Sequence, residues 1–267
     1  MTVNDKAGSI SVSRLSWESG SASRDQDRVV EECPVAMVYN GVSHVVMMAT
    51  PADLEDFARG FSVTEHIVNA PEQILDIEVV PQEKGIELQM AIVNEAFAAL
   101  KQRRRNLTGR TGCGLCGAES LAQAIPEPSP VAADMVIEPA ALSRAVTSME
   151  SLQPLKALTG SVHGAAFCSA QGELLLLRED VGRHNALDKL IGALHCDTMP
   201  AGFILVTSRA SYEMVAKTAR ANIPILAAVS APTSLAIEQA ETCGLTLVGH
   251  VSDDRQVVYT RPERIRG

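Results

Sequence analysis

Residues 203–249 contain the pattern that most clearly indicates the architecture of this chain, and their sequence is FILVTSRASYEMVAKTARANIPILAAVSAPTSLAIEQAETCGLTLVG. Three short apolar runs alternate here with two segments of helical periodicity. The runs lie at 203–207, 225–229 and 245–249, and the helical segments at 211–221 and 233–243. Short apolar runs bounded by turn residues predict buried strands. Their alternation with helices predicts right-handed β-α-β units and a mainly parallel sheet with helices on both faces.

The same alternation extends on both sides of this stretch. Two strands are predicted at 162–168 and 173–177, paired across Gln171-Gly172, and a last strand at 256–260. Helices are predicted at about 139–152 and 181–194. We therefore expect residues 134–267 to form a three-layer α/β/α subdomain.

Residues 29–105 predict a small α+β subdomain. Two apolar runs, at 35–39 and 44–48, flank Asn40-Gly41, and such a pair is a strong signal for a tight hairpin. A helix with apolar residues at helical spacing from Leu54 to Phe61 follows, then two short strands and a second helix. Residues 1–28 are rich in Ser, Asp and Arg, and this composition predicts a flexible tail.

Composition and charge exclude several classes of function. The chain has 267 residues, of which 46% are hydrophobic and 3% aromatic, and its net charge is 23 − 32 = −9. An acidic chain with few aromatic residues does not suit nucleic acid. The first ten residues lack the apolar core of a secretory signal, and no apolar run is long enough to span a bilayer. We expect a cytoplasmic protein without membrane association, whose six cysteines are thiols.

Polar residues follow four of the predicted strands, where ligands of open α/β sheets bind. Three of these segments also open helices, whose free N–H groups attract phosphate or carboxylate. Ser, Thr and Asp are also ordinary helix caps, but four such segments at one edge favour a site for a nucleotide-like anion. His163, beside Gly164 in an apolar strand, is a candidate for lining it. The other candidates are Ser208, Arg209, Ser211, Ser230, Thr233, His250, Val251, Ser252, Asp253, Asp254 and Arg255.

Asp180, His184 and Asp188 recur at intervals of four residues along one predicted helix. This spacing stacks two carboxylates and an imidazole on one face, where they could orient the histidine for proton transfer. A plainer interpretation, which we prefer at this point, makes Asp180 a helix cap, His184 an ordinary hydrogen-bonded side chain, and Asp188 with Lys189 an exposed edge.

Residues 106–133 lack periodicity and predict a long glycine-rich connection, a kind that is uncommon without a function. At its centre Cys113-Gly114-Leu115-Cys116 stands among further glycines. The pair could be half of a zinc site, a dithiol redox pair, or a carrier of transferable sulfur. A mobile glycine-rich loop suits a thiol that must visit two places, and nearby arginines at 103–105 and 110 could lower its pKa.

Two of these alternatives lack supporting features. No second Cys or His pair follows at the spacing of a zinc ribbon, and no strand leads into the loop as in thioredoxin-like proteins. The zinc nucleoside deaminases pair H-x-E with P-C-x-x-C, whereas here Gly112 precedes Cys113 and Ala165 stands where the glutamate would be. Deaminase chemistry and a zinc site are therefore not expected.

Several stretches together resemble the FdhD family of formate dehydrogenase accessory proteins. They cover the chain from about Val29 to its end. The matching stretches are 111–117 (TGCGLCG), 159–160 with 163–166 (TG and HGAA), 179–189 (EDVGRHNALDK), 208–215 (SRASYEMV) and 230–236 (SAPTSLA).

The resemblance implies a sulfur carrier, a type of sulfurtransferase. Such proteins accept persulfide sulfur from a cysteine desulfurase and pass it to the molybdenum cofactor, bis-molybdopterin guanine dinucleotide, before the cofactor enters formate dehydrogenase. Carried onto this chain, Cys113 would bear the persulfide and Cys116 would assist. The cofactor-binding stretch would be residues 250–255, although His250 replaces a usual Phe, and a guanine nucleotide would mimic the ligand. The resemblance also implies a cytidine-deaminase-like core without zinc, and a homodimer.

Overall fold

The structure is a computed structural model that describes residues 8–107, 127–196 and 200–267, with residues 104–107 described for their backbone only. The strands are β1 Ser9–Glu18, β2 Ser21–Val30, β3 Cys33–Tyr39, β4 Val42–Ala49, β5 Ile74–Gln82, β6 Gly85–Ile92, β7 His163–Ser169, β8 Leu174–Asp180, β9 Gly202–Val206, β10 Ile225–Ala228, β11 Thr246–Gly249 and β12 Val257–Val258. The α-helices are α1 Leu54–Thr64, α2 Asn94–Leu107, α3 Pro139–Leu152, α4 Pro154–Thr159, α5 Arg183–Leu194, α6 Tyr212–Arg220 and α7 Ser234–Cys243.

A six-stranded sheet forms the centre of the C-terminal half, with the strand order β12-β11-β10-β9-β7-β8. The predicted α/β class is confirmed, but the sheet is mixed and not mainly parallel. Only β9–β10 and β10–β11 are parallel among its described pairs. The reason is that β7 inserts between β8 and β9 and is antiparallel to both. As a result β8, β9, β10 and β11 all run in the same direction.

Helices cover both faces of this sheet, as the three-layer prediction requires. Successive strand residues alternate between two hydrophobic clusters, as the pleat dictates. One cluster joins Ile204, Val206 and Leu226 to α5, α6 and α7. The other joins Phe203, Leu205 and Ile225 to α3. The helix α4, which the sequence did not predict, follows α3 directly.

The N-terminal half contains a four-stranded sheet with the order β4-β3-β6-β5. The predicted hairpin is confirmed, because Asn40 and Gly41 both have positive φ, 46° and 78°, as a two-residue turn of this class requires. The inner face of the sheet packs Met37, Tyr39 and Leu88 against Phe57 of α1.

The two halves meet where α1 crosses α5. A Cβ atom on Gly60 would collide with the main-chain oxygen of Asp188, and one on Gly192 with the main-chain oxygen of Asp56. The two helices are therefore in backbone contact, which only glycine permits.

The prediction of a flexible tail is wrong for residues 9–28, because these residues lie in the antiparallel pair β1–β2. The two strands show no apolar pattern in the sequence, because polar contacts between the strands support their pairing. Arg14 lies 2.8 Å from both Asp25 and Asp27. The sequence signal that would have revealed this hairpin is the pair Ser19-Gly20. In the structure these residues form the turn, with φ of 49° and 85°.

Candidate functional site at the carboxyl edge of the sheet

The carboxyl ends of β8, β9, β10 and β11 lie at one edge of the six-stranded sheet, together with the start of β7. Main-chain hydrogen bonds join the segments that follow these strands. Thr207 N donates to Gly164 O at 3.0 Å, and His250 N donates to Ser230 O at 3.2 Å. The structure thus brings the sequence-predicted segments to a common edge.

His163 opens β7 at this edge and pairs with Asp180 across the sheet. Burial lowers the pKa of the imidazole, and the charge of Arg183 adds to this effect while Asp180 opposes it. A half-buried neutral imidazole beside a guanidinium is suited to contact a bound ligand by hydrogen bonding.

The segment after β9 contributes Ser208, Arg209 and Ser211. Arg209 is exposed, whereas both serines are buried. Ser208 Oγ donates to Arg209 O at 3.0 Å, and Ser211 Oγ donates to the carboxylate of Glu213 at 2.9 Å. Ser211 is the N-cap residue of α6 but makes no side-chain capping bond. In the described part of the chain the N-cap side chain therefore does not satisfy the first N–H groups of α6, and such groups are suited to an anion.

The segment after β10 contributes Ser230 and Thr233. Ser230 is exposed. Thr233 Oγ1 accepts a hydrogen bond from Ala236 N at 3.3 Å and so caps α7. Its side chain has an ordinary structural role, in agreement with the simpler interpretation of such residues.

The segment after β11 contains the stretch that the family resemblance associates with cofactor binding. Val251 is buried, and His250 adopts positive φ of 53°. Asp253 accepts a hydrogen bond from Thr147 of α3 at 3.0 Å, and Asp254 accepts one from Ser252 at 2.9 Å. Both carboxylates have partners within the protein, and Arg255 is exposed beside them.

His184 and Glu213 form a pair at the same edge that the sequence did not reveal. Nε2 of His184 lies 3.1 Å from a carboxylate oxygen of Glu213, the oxygen that Ser211 also contacts. Burial lowers the pKa of His184, and the charge of Glu213 only partly offsets this. A carboxylate can only accept, so the neutral imidazole donates from Nε2 and Nδ1 is left as a proton acceptor.

The replacement His184→Gln should make the stability of the protein less sensitive to acid. The folded pKa of His184 lies below its ordinary value of 6.5, so its stabilising effect is present above pH 6.5 and lost as pH falls through the folded pKa. Urea unfolding at several pH values measures this slope, to which one histidine contributes at most about 1.4 kcal/mol per pH unit.

A companion variant, Glu213→Gln, keeps the shape of the partner and removes its charge. It should lower the pKa of His184 further, which NMR titration of the imidazole detects. An unchanged slope in His184→Gln and an unchanged pKa in Glu213→Gln would show that the pair does not form.

Glu179 and Asp180 support the fold beneath this edge. Glu179 accepts main-chain hydrogen bonds from Leu155 and Lys156 at 2.8 and 3.0 Å, and so caps α4. Asp180 lies 2.7 Å from the ammonium of Lys189, and both side chains are fully buried.

The interpretation of Asp188 and Lys189 as an exposed edge is therefore wrong, since both residues are buried. Asp188 accepts a hydrogen bond from Thr64 at 2.7 Å and is paired with Lys217. Both side chains were predicted to be exposed because the partners that allow their burial lie on other elements of the fold.

Arg183 is a further candidate that the sequence analysis did not single out. Its Nε is buried and has no hydrogen-bond partner within the described residues, and its charge acts on both His163 and His184. It lies in the first turn of α5, where the helix dipole disfavours positive charge. This position at the start of the helix is the sequence signal that could have identified Arg183 as a candidate for binding an anion.

Cys113 and Cys116 lie outside the described residues, as does Arg110. Of the arginines near them, Arg103 donates to the main-chain oxygen of His66 at 2.7 Å. A cavity of about 280 Å³ lies at the opposite edge of the sheet, bordered by Phe167, Ile223 and Pro224. It is therefore separate from the polar edge described above.

The fold and this edge define an α/β protein with a candidate anion-binding site, and comparisons with known proteins specify the family. The family model FdhD/NarQ matches residues 30–266, and the chain belongs to that family. It is 52% identical to the sulfur carrier protein FdhD of Cupriavidus necator over 94% of this chain and 88% of the other. It is 51% identical to that of Variovorax paradoxus over 91% of this chain and 88% of the other.

A solved structure resembles the fold over nearly its whole length. The crystal structure of a protein from Desulfotalea psychrophila, described as a formate dehydrogenase accessory protein, matches with a TM-score of 0.76 and 27% identity. The match covers 97% of this chain and all of that one. Among the residues described, no helix combines the length and apolar character needed to cross a bilayer.

Proposed function

We propose that this chain is a sulfur carrier that takes persulfide sulfur from a cysteine desulfurase and delivers it to the molybdenum cofactor before the cofactor enters formate dehydrogenase. The observation that carries the proposal is the close similarity, over most of both chains, to proteins named sulfur carrier protein FdhD. The Cys113-Gly114-Leu115-Cys116 loop supplies the thiols that such a role requires.

Sulfur uptake proceeds by thiol exchange. The Cys113 thiolate attacks the outer sulfur of the desulfurase persulfide and forms a new S–S bond. The S–S bond of the donor breaks, and the donor cysteine leaves as a thiolate, so no external oxidant or reductant is needed. Cys116 assists or resolves the persulfide on Cys113.

The substrate of the second half-reaction, bis-molybdopterin guanine dinucleotide, binds at the carboxyl edge of the sheet. Three features of the described residues support this placement: the start of α6, which its N-cap side chain does not cap, the Nε of Arg183, which has no hydrogen-bond partner among those residues, and the half-buried His163. Each suits an anionic, phosphate-bearing ligand. We infer that residues 250–255 border the ligand and that Arg209 and Arg255 contact it from the exposed side.

Sulfur uptake is tested by incubating the protein with a cysteine desulfurase and free cysteine and then weighing it by mass spectrometry. We expect a mass increase of one sulfur atom that dithiothreitol removes. Cys113→Ala should abolish the adduct, whereas Cys196→Ala, which removes an exposed thiol elsewhere, should leave it intact.

Two other functions predict different results in the same experiment. A cofactor-binding chaperone without sulfur chemistry would stay unmodified, and its cysteines could then hold zinc. A dithiol oxidoreductase would form a reversible Cys113–Cys116 disulfide and no sulfur adduct. Either outcome contradicts the sulfur-carrier proposal.

Ligand binding at the edge is tested with guanosine diphosphate as the probe. The nucleotide should raise the melting temperature, and Arg183→Gln should weaken binding about tenfold or more because one charged hydrogen bond is lost. Arg144→Gln, at an exposed site on α3, is the matched control. Equal affinity of the two variants for the nucleotide would show that Arg183 does not contribute to this site.

We infer that the chain acts in the cytoplasm, where thiols stay reduced, and that it works as a homodimer.

A further inference from the structure

Two arginines from distant parts of the chain meet just after the end of α1. Arg103, four residues before the end of α2, donates from Nη1 to the main-chain oxygen of His66 at 2.7 Å. Arg220, the last residue of α6, donates from Nη2 to the main-chain oxygens of Val68 and Asn69, both at 3.3 Å. The two guanidinium groups are therefore held against the same short loop. We call Arg103, Arg220 and His66 the basic cluster.

The charges of the basic cluster act on one another. Burial lowers the pKa of Arg220, and the positive charge of Arg103 adds to this effect. Burial also lowers the pKa of His66, and both arginines add to this effect while the carboxylate of Glu65 opposes it. Glu65 is itself paired with Lys217 at 2.7 Å. Among the residues that the structure describes, neither arginine of the cluster forms an ion pair, so the cluster is a local concentration of positive charge on a chain whose net charge is −9.

The end of α1 does not need these arginines as caps. The last carbonyl oxygens of a helix require hydrogen-bond donors, and the main chain already supplies them here. The N–H groups of residues 67 and 68 donate to Ser62 O at 2.9 and 3.1 Å, and that of His66 donates to Val63 O at 3.2 Å. Arg103 is exposed, and its described contact uses one of the five N–H donors of a guanidinium. The other donors are suited to the carboxylate oxygens of a partner.

The basic cluster lies close to the point from which the chain leads to the two thiols. Arg103 is separated from Leu107, the last residue of α2, by about 6 Å of helix. Cys113 follows Leu107 by six residues, which span at most about 22 Å even when fully extended. A protein bound at the cluster is therefore within reach of Cys113.

The basic cluster is also separate from the carboxyl edge of the six-stranded sheet. Glu213 lies in the first turn of α6 at that edge, whereas Arg220 ends the same helix. Seven residues of α-helix span about 10 Å. A protein bound at the cluster therefore leaves the carboxyl edge open to the cofactor.

We propose that the basic cluster is the docking site for an acidic surface of the cysteine desulfurase that donates the sulfur, an inference that rests on the proposed function. Guanidinium groups form paired, charge-assisted hydrogen bonds with carboxylates. Opposite charges also steer the encounter of two proteins, and a local positive cluster provides this attraction on a chain that is acidic overall. The donor is favoured over the acceptor enzyme because the cluster lies near the thiols and away from the edge at which the cofactor binds.

The docking site is tested by isothermal titration calorimetry of the full chain with a cysteine desulfurase, in the absence of free cysteine so that no sulfur is transferred. The dissociation constant should rise about tenfold or more in Arg103→Glu, because attraction becomes repulsion. Arg103→Lys, which keeps the charge, should stay close to the wild type. Arg144→Glu is the matched control, since it changes the net charge equally and Arg144 is also exposed and donates to a main-chain oxygen at 2.7 Å. It should bind like the wild type.

Salt separates electrostatic attraction from a change in the fold. Raising the ionic strength should weaken binding of the wild type and reduce the difference in affinity between the wild type and Arg103→Glu. Arg220→Gln should weaken binding in the same direction, and its melting temperature shows whether the variant remains folded.

A wild type that does not bind the desulfurase, or equal affinity of the wild type and Arg103→Glu at low ionic strength, overturns the docking proposal. The sulfur adduct on Cys113 is scored separately, with free cysteine present. Its absence from the wild type contradicts the carrier function, whereas its formation at the wild-type rate in Arg103→Glu contradicts the docking site alone.

Discussion

Replacing Lys217 with methionine should destabilise the protein by about 3 to 5 kcal/mol, because it leaves the buried carboxylate of Asp188 without its counter-charge. The ammonium of Lys217 lies 2.9 Å from both carboxylate oxygens of Asp188 and 2.7 Å from Glu65. It also donates to Thr64 at 3.0 Å. The side chains of Lys217 and Asp188 are 8% and 2% exposed, so water cannot replace the lost partner.

The pH dependence of this cluster follows from the same contacts. Burial lowers the pKa of Lys217, but the carboxylates of Asp188 and Glu65 outweigh burial and hold the pKa above its ordinary value. The contribution of the charged lysine is therefore present at neutral pH and is lost as strongly alkaline pH deprotonates Lys217.

A second substitution separates the ion pair from simple packing. Adding Asp188→Asn to Lys217→Met removes the unpaired charge and keeps an acceptor for Thr64, so the double variant should regain a large part of the lost stability. Lys84→Met, at an exposed turn, should change the free energy of unfolding by less than about 0.5 kcal/mol. Strictly additive losses in urea unfolding would show that the two residues do not interact.

The sequence predicted those elements whose signals are local. Asn40-Gly41 specifies the β3–β4 turn through its positive φ values, and the apolar runs at 203–207 and 225–229 specify β9 and β10 with one helix between them. Such features depend on residues within a few positions of one another.

The direction of a strand is not a local signal. Periodicity identified β7 and β8 and paired them correctly, but it could not say which of the two would lie beside β9. That choice added a further antiparallel pair, β7–β9, to the antiparallel β7–β8 hairpin. The β1–β2 hairpin was not predicted for a related reason, since its strands are joined by polar pairs such as Arg14 with Asp25 and show no apolar period.

The sequence predicted the position of the polar segments in the sheet better than it predicted the contacts of their side chains. Rules for α/β sheets placed residues 208–211 and 230–234 at one edge, and they do lie there. The partner of His184, however, is Glu213, 29 residues away, and the partner of Asp188 is Lys217, also 29 residues away. Only the packing of α5 against α6 brings these pairs together, so a single sequence does not reveal them.

Replacing Gly192 with alanine should cost about 3 kcal/mol or more, because the added methyl group meets the main chain of α1 where the two helices touch. The obstructing atom is the main-chain oxygen of Asp56, which belongs to rigid helical backbone and cannot rotate away. The helices must separate, although alanine is otherwise the better helix former. Ala98→Ser, which adds one atom at an exposed position of α2, is the control and should be nearly neutral.

Gly60→Ala acts from the other side of the same contact and connects it to the ion cluster. Its methyl group would press on the main-chain oxygen of Asp188, the residue whose side chain pairs with Lys217 and Thr64. Separation of α1 from α5 would pull Thr64 and Glu65 away from the cluster, so Gly60→Ala and Lys217→Met should damage the same interactions. Urea unfolding of the double variant should then show a loss smaller than the sum of the single losses by about 1 kcal/mol or more. Full additivity would mean that the glycine crossing and the buried charges stabilise the two halves independently.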